Sequence, residues 1–69
     1  MNIKFKLLDV VALLKERDNL VIGQVGTVVE ILDDENFEVE FSNTKGETIS
    51  TFPVNAKDLF LFHYEVEAA

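Results

Sequence analysis

The clearest pattern in the chain is a strict alternation of apolar and acidic residues in "FEVEF", from Phe37 to Phe41. A period of two places Phe37, Val39 and Phe41 on one face of a β-strand, and Glu38 and Glu40 on the other. In an antiparallel sheet, such a strand packs its apolar face on a core and leaves its polar face in water. The segment therefore predicts a strand with an outward row of acids.

The preceding segment, "TVVEIL" (27–32), predicts a second strand because it is rich in the β-branched residues that strands favour. With Glu30 in water, alternation assigns the other positions to two faces: Thr27, Val29 and Ile31 inward, and Val28 and Leu32 outward. The turn cluster "DDEN" (33–36) separates the two apolar runs. We predict a β-hairpin with strands at 25–32 and 37–42.

Three further elements follow from the same pattern. "ETISTF" (47–52) predicts a third strand, ended by Pro53 because proline cannot donate to a β-ladder. "NAKDL" (55–59) predicts one helical turn with Asn55 as its N-cap. "LFLFHYEV" (59–66) predicts a closing strand that carries apolar residues on both faces.

The N-terminal segment "FKLLDVVALLKE" admits two interpretations. Its alanine, leucines and lysines favour an amphipathic helix over residues 5–15. Val10 and Val11 lie in its middle and no N-cap residue introduces it, which favours a strand. We predict a strand at 9–15, with Val11 and Leu13 on one face, and keep the helix as the alternative.

Together these elements predict an all-β domain: a small five-stranded SH3-like barrel with a short helical turn before the last strand. At 69 residues the chain has room for a single domain. "IGQVG" (22–26) supplies two glycines, Gly23 and Gly26, that can take positive φ in the turn before the hairpin. Barrel closure would remove the sheet edges that so short a chain cannot otherwise cover.

Composition narrows the setting. The chain has no cysteine, so neither disulfides nor thiolate zinc sites are expected. Small secreted domains usually depend on such links, and we therefore expect a cytoplasmic protein. Asp9 interrupts the N-terminal apolar run, which argues against a signal peptide. No apolar run approaches the ~20 residues that a membrane-spanning helix requires.

Charge narrows the partners. The net charge is −7, and the two signs are separated along the chain. Cations concentrate near the N-terminus at Lys4, Lys6, Lys15 and Arg17. Acids dominate the middle at Glu30, Asp33, Asp34, Glu35, Glu38, Glu40 and Glu47. Because nucleic-acid binding depends on cations that neutralise phosphates, the acidic surface disfavours nucleic acid. It favours either a solvated face or a basic protein partner.

The order "KLLDVVALL" (6–14), "GQVGTVVEIL" (23–32), "FEVEF" (37–41) and "KDLFLF" (57–62) resembles a small bacterial domain of unknown function, number 4926 in that series. The resemblance spans nearly the whole chain. It implies a compact SH3-like barrel, common in cyanobacteria, with no assigned functional residues. "GQVGTVVEI" also resembles, more weakly, the glycine-then-strand core of the KOW motif of ribosomal and transcription-elongation barrels.

No catalytic, cofactor or metal site emerges from the residues. His63 is the single histidine and lies in an apolar strand. Ser42 and Ser50 are outside any nucleophile-elbow pattern. The acidic turn at 33–35 lacks the spacing of an EF-hand loop. We therefore expect a protein that is not an enzyme.

The last strand suggests a binding surface. Phe60, Phe62 and Tyr64 share one face, and the opposite face carries Leu59 and Leu61. If one set is in the core, the other is covered by the N-terminal segment or exposed as an interface. The predicted partner-binding residues are Glu30, Asp33, Asp34, Glu38, Glu40, Phe60, Phe62 and Tyr64. They suit a basic protein or a second copy of the chain.

The functional expectation is a non-enzymatic protein-interaction module. Its most concrete form is a small acidic accessory protein, of antitoxin or immunity type, that masks a basic partner. The alternative is a KOW-like barrel associated with nucleic acid or the ribosome through the basic N-terminal end.

Overall fold

A computed structural model of the chain describes residues 5–62. This part of the chain forms five strands, named here β1 (Val10–Leu13), β2 (Val25–Ile31), β3 (Asn36–Ser42), β4 (Thr48–Asn55) and β5 (Leu59–Leu61). They make one antiparallel sheet in the order β4-β3-β2-β1-β5, and a single 3-10 turn, Ala56–Asp58, precedes β5. The predicted all-β architecture, with five strands and a helical turn before the last, is confirmed.

The N-terminal segment forms a strand, as predicted, and not a helix. β1 pairs with β2 on one side and with β5 on the other. Val11 and Leu13 are buried, which confirms the face assigned to them. The β-branched pair Val10 and Val11 fits this extended backbone, because its stiff side chains pack well on a pleated surface.

The β2–β3 hairpin is confirmed, and the inward face of β3 is the predicted one, with Phe37, Val39 and Phe41 all buried. The faces predicted for β2 are wrong in part. Val28 is fully buried, whereas Val29 is 40% exposed. The pairing with β3 shifts between Val28 and Glu30, so a β-bulge interrupts the alternation there.

The bulge explains why a single period of two fails along β2. Before it, Gly26 pairs with Phe41 and Val28 with Val39, which puts Val28 on the core face. After it, Ile31 pairs with the buried Phe37 and Glu30 with the outward Glu38, as alternation from Glu30 predicted. Counting from Glu30 therefore gave the side of the sheet that the pairing assigns after the bulge and the opposite side before it. Ile31, predicted to face inward, is nevertheless 48% exposed and lies outside the core cluster.

Pro53 does not end β4, which was predicted to stop at Phe52. The strand continues to Asn55, and Pro53 pairs with Glu38 within it. A strand at one end of the sheet tolerates proline because its outer edge needs no ladder donor. β4 is such an end strand, so the residue that was expected to break the strand lies inside it.

Asn55 caps the 3-10 turn as predicted. Its side-chain oxygen accepts a hydrogen bond from the backbone N–H of Lys57, at 3.0 Å. The turn links β4 to β5, the two end strands of the sheet. Val54 and Leu59, one from each of these strands, belong to the same hydrophobic core. The sheet therefore curls so that both of its ends contact one core.

The loop between β1 and β2 covers part of this core. Leu20 from the loop is buried in the core cluster. Arg17 extends from the loop to β4, where its guanidinium donates to the Pro53 carbonyl oxygen at 2.8 Å and lies 4.4 Å from the centre of the Phe52 ring. One loop thus connects the β1–β2 side of the sheet to β4.

The two glycines of "IGQVG" serve different purposes, which corrects the expectation that both supply positive φ. Gly23 has φ +92° in the turn before β2. Gly26 has no positive φ and lies inside β2, where an added Cβ would be 2.7 Å from Val39 Cγ1 and 2.8 Å from Phe41 Cδ1. Gly26 is needed because the core side chains of β3 approach the β2 backbone at this point.

Candidate functional site

The strand pairing defines which residues share the outer face of the sheet, opposite the core. Val11 and Leu13 of β1 point into the core, so their neighbours Val10 and Ala12 point outward. Ala12 is directly opposite Val25 of β2 and Phe60 of β5. Directly opposite residues share a face, so the apolar side chains of three neighbouring strands meet here.

We call this surface the outer patch and define it as Val10, Ala12, Val25, Phe60 and Phe62. The rings of Phe60 and Phe62 meet edge to face, with centroids 5.3 Å apart, a favourable arrangement for aromatic pairs. They are 52% and 45% exposed, respectively. Ala12, between Phe60 and Val25, is buried although it faces outward, as expected where larger neighbours cover a methyl group.

A second surface, the acidic row, lies on the same face and consists of Glu30, Glu38 and Glu40. Glu30 is directly opposite Glu38 across the β2–β3 pair, and Glu40 is two residues further along β3. The Thr48 hydroxyl donates to one carboxylate oxygen of Glu40 at 3.2 Å. Like charges directly opposite one another destabilise a sheet, so the row retains a repulsion that a cation would relieve.

One cross-strand row connects the two surfaces. Phe62 donates its backbone N–H to the Val10 carbonyl, Val10 is opposite Thr27, and Thr27 is opposite Glu40. Three steps of ~4.8 Å between strands separate Phe62 from Glu40, or about 14 Å along the sheet. The outer face is therefore apolar over β5 and β1, neutral at Thr27 and acidic over β3.

Asp33 and Asp34, predicted to bind a partner, lie in the β2–β3 turn and not on the sheet face. One carboxylate oxygen of Asp33 accepts hydrogen bonds from the backbone N–H groups of Glu35 and Asn36, each at 2.8 Å. The bond from Glu35, followed by that from the Asn36 side chain, lowers the pKa of Asp33 below its usual value. Asp33 is thus engaged in holding the turn, while Asp34 is exposed beside it.

The structure brings together five of the eight predicted residues: Glu30, Glu38, Glu40, Phe60 and Phe62. Tyr64 lies outside the described residues, as does His63. Val28, predicted to face outward, is in the core instead. Sequence reasoning missed Val10, Ala12 and Val25. The inward assignment of Val11 and Leu13 contained the signal for the first two, since their neighbours must then face outward.

The basic N-terminal end does not form a comparable surface in the part of the chain that the structure describes. Lys4 lies outside it, and the Arg17 side chain is engaged with Phe52 and Pro53. Next to Arg17 is an open recess. It is lined by two cations, Lys15 and Arg17, by two acids, Glu16 and Asp58, and by the apolar residues Leu13 and Val54. Cations and acids are mixed there, so the recess offers no uniform positive field for a phosphate backbone.

Among residues 5–62, no three histidine or carboxylate side chains come together as they would around a metal ion. Over the same residues, no helix has the length and apolar character needed to cross a bilayer.

The fold and its outer face define a small all-β domain that carries an exposed aromatic surface beside an acidic one. The chain belongs to the family described as domain of unknown function DUF4926, whose model matches residues 7–61. No curated protein and no solved structure matches the chain. The resemblances to SH3-like and KOW-type barrels therefore rest on the sequence pattern alone.

Proposed function

We propose that this chain is a non-enzymatic protein-interaction module and that the outer patch is its binding surface. In its most concrete form it is a small cytoplasmic accessory protein, of antitoxin or immunity type, that masks a basic partner. The observation that carries the proposal is the exposed Phe60–Phe62 pair on a sheet face that already has a complete core behind it.

The argument rests on what exposed aromatic residues contribute. Leu59 of β5 and Val11 of β1 supply the core side of these strands, so Phe60 and Phe62 are not needed to complete the core. Contiguous exposed apolar surface on a soluble domain marks interaction sites. Aromatic residues are enriched at such sites because they bury much area and lose few rotamers on binding.

The charge of the molecule favours a basic partner. The chain carries −7, and three of its carboxylates share the face of the outer patch. Complementary charge accelerates association and selects among partners. The nucleic-acid alternative gains no comparable support, because Arg17, one of the cations on which it depends, is packed on Phe52.

The proposal is tested by affinity capture from the source organism at low salt, with the wild-type chain and the double variant Phe60→Ser/Phe62→Ser as baits. We expect the wild type to retain a stoichiometric basic protein and the double variant to lose it. Val25→Lys places a cation in the same patch from another strand and should have the same effect. It serves as the second variant in case the serine substitutions unfold β5.

The matched control is Ile49→Ser. Ile49 is 39% exposed, similar to Phe62, but it lies on β4 at the opposite end of the sheet. This control should bind as the wild type does. The proposal fails if the wild type captures no stoichiometric partner, or if the partner is retained by both patch variants while circular dichroism shows them folded.

A further inference from the structure

We infer that the binding surface has two parts, and that its partner is a basic protein segment that places an apolar anchor on the outer patch and Arg or Lys side chains on the acidic row. This inference rests on the proposed function and specifies the partner's chemistry. It depends on the cross-strand row from Phe62 through Val10 and Thr27 to Glu40, which joins the two surfaces on one face.

The first step is that both surfaces are available to one ligand. Phe60 and Phe62 are exposed, Glu30 is exposed, and Glu38 and Glu40 are half-buried on the same face. Only the small side chain of Thr27 lies between Val10 and Glu40. A bound segment can therefore contact apolar and acidic groups without crossing an edge of the sheet.

The second step is the choice between a basic partner and a second copy of the chain. A second copy would bring a further net charge of −7 and the same acidic row to the interface. The outer patch alone consists of five side chains, whereas a stable interface usually involves ~20–30 residues a side. A basic segment uses both surfaces and relieves the repulsion between Glu30 and Glu38, so the charge favours it.

The third step is the spacing. About 14 Å separates Phe62 from Glu40 along the sheet, and an extended peptide advances ~3.4 Å per residue. An anchor and a cation four positions apart therefore span the two surfaces. The spacing specifies a probe: the peptide acetyl-Trp-Ser-Gly-Ser-Arg-Arg-amide, whose Trp is a rigid aromatic anchor of the kind that dominates binding energy at interfaces.

The experiment is a titration of the ¹⁵N-labelled chain with this peptide, followed by amide chemical shifts. Two control peptides replace the Arg pair by Glu or the Trp by Ala. We expect the Trp–Arg peptide to shift amides around both the outer patch and the acidic row, with a Kd on the order of 1 mM. The Glu peptide should bind about tenfold more weakly at ~0.02 M salt, and the difference should shrink at ~0.3 M as the charges are screened.

Two double variants test which carboxylates contribute to binding of the Arg peptide. Glu38→Gln/Glu40→Gln removes two charges from the acidic row, while Glu35→Gln/Glu47→Gln removes two from exposed turns of the same molecule. We expect the first variant to bind the Arg peptide about three- to tenfold more weakly and the second to bind nearly as the wild type does. Equal weakening in both variants would show a general effect of net charge and overturn the two-part site.

Two other results would also overturn the inference. One is equal binding of the Arg and Glu peptides. The other is a shift of the Phe60 and Phe62 amides on concentrating the chain at low salt without any peptide, which would assign the patch to a second copy. The proposed function is tested separately. If the captured protein is lost with Phe60→Ser/Phe62→Ser but retained by Glu38→Gln/Glu40→Gln, the interaction module stands and the two-part site does not.

Discussion

At the scale of single residues, Gly26 shows most directly how closely this core is packed. A Cβ at this position would lie 2.7 Å from Val39 Cγ1, 2.8 Å from Phe41 Cδ1 and 2.9 Å from the Glu40 carbonyl oxygen. One of these neighbours is backbone, which a rotamer change cannot move. The position therefore excludes every side chain for steric reasons, although its φ is not in the left-handed region.

We expect Gly26→Ala to lower the free energy of unfolding by about 1–3 kcal/mol, the usual cost of overpacking a core. Gly46→Ala is the matched comparison. Gly46 has φ +82° but open space around it, so its substitution costs backbone strain of about 1–2 kcal/mol without a clash. Urea denaturation measures both values. Crystal or NMR structures separate the causes, because only Gly26→Ala should displace β3, and an undisplaced β3 would contradict the packing argument.

Prediction of which residues face the core succeeded where the two-residue alternation of a strand is uninterrupted. Phe37, Val39 and Phe41 were assigned to the core correctly because β3 keeps its alternation over that run. Val28 and Val29 were assigned wrongly because either could face inward and only the β-bulge decides between them. The bulge depends on how β2 pairs with β3, and neighbouring valines in a sequence do not encode that pairing.

At the scale of elements, the β1–β2 loop acts as part of the core. Leu20 is 2% exposed although it lies outside the five strands, while its neighbour Val21 is 59% exposed. Leu20 and Arg17 exchange backbone hydrogen bonds of 2.8 and 3.2 Å, which fix the tight turn that directs the leucine inward. The loop is thus attached at two places: Leu20 packs in the core, and Arg17 contacts β4.

We expect Leu20→Ala to lower the free energy of unfolding by about 2–4 kcal/mol, because a buried leucine leaves a cavity when truncated. Val21→Ala, next to it and exposed, should change this free energy by about 0.5 kcal/mol or less. Thermal or urea unfolding followed by circular dichroism compares the two variants. Similar losses in both would mean that the loop contributes through its backbone alone.

Element prediction was good for existence and order and poorer for boundaries. The helical turn was found because Asn55 has the side chain that a cap requires, and the structure uses it in that way. The end of β4 was misplaced because the effect of Pro53 depends on whether its strand is at the end of the sheet. That position is a property of the strand order, which "ETISTFPV" alone does not specify.

At the scale of the whole molecule, the outer patch and the net charge have opposite effects on self-association. The exposed phenylalanines favour association with any apolar surface that would bury them. The net charge of −7 on each copy disfavours contact between copies. The acidic row adds to the second effect at the patch itself. The balance should depend on salt, because screening weakens the repulsion and leaves the apolar attraction in place.

We expect light scattering over a dilution series to give a monomer at ~0.02 M salt, with any association confined to high salt. The comparison variant is Phe60→Ser/Phe62→Ser, which should remain monomeric in both conditions because it lacks the apolar surface. A wild-type dimer that persists through dilution at low salt, and that this variant abolishes, would assign the outer patch to self-association in place of a basic partner.

The whole-molecule arrangement was only partly predictable. Composition and charge indicated an acidic domain, and the periodicity of the last strand indicated surplus apolar side chains. That the outer patch and acidic row share one face follows from the register of three strand pairs, which depends on contacts between distant segments. Val25 joined the patch through that register alone, whereas the alternation of β1 already indicated that Val10 faces outward.

The pairing of β5 with β1 has a consequence for how the sheet is assembled. The β2–β3 and β3–β4 pairs join consecutive strands through short turns, whereas β5 and β1 come from opposite ends of the described chain. Loop-closure entropy grows with the length of chain enclosed, so β1–β5 carries the largest such cost of the four pairings. β5, the strand that holds Phe60, is therefore attached by the pairing with the highest entropic cost. A ligand that contacts both β5 and β1 would stabilise this pairing, which encloses the longest stretch of chain of the four.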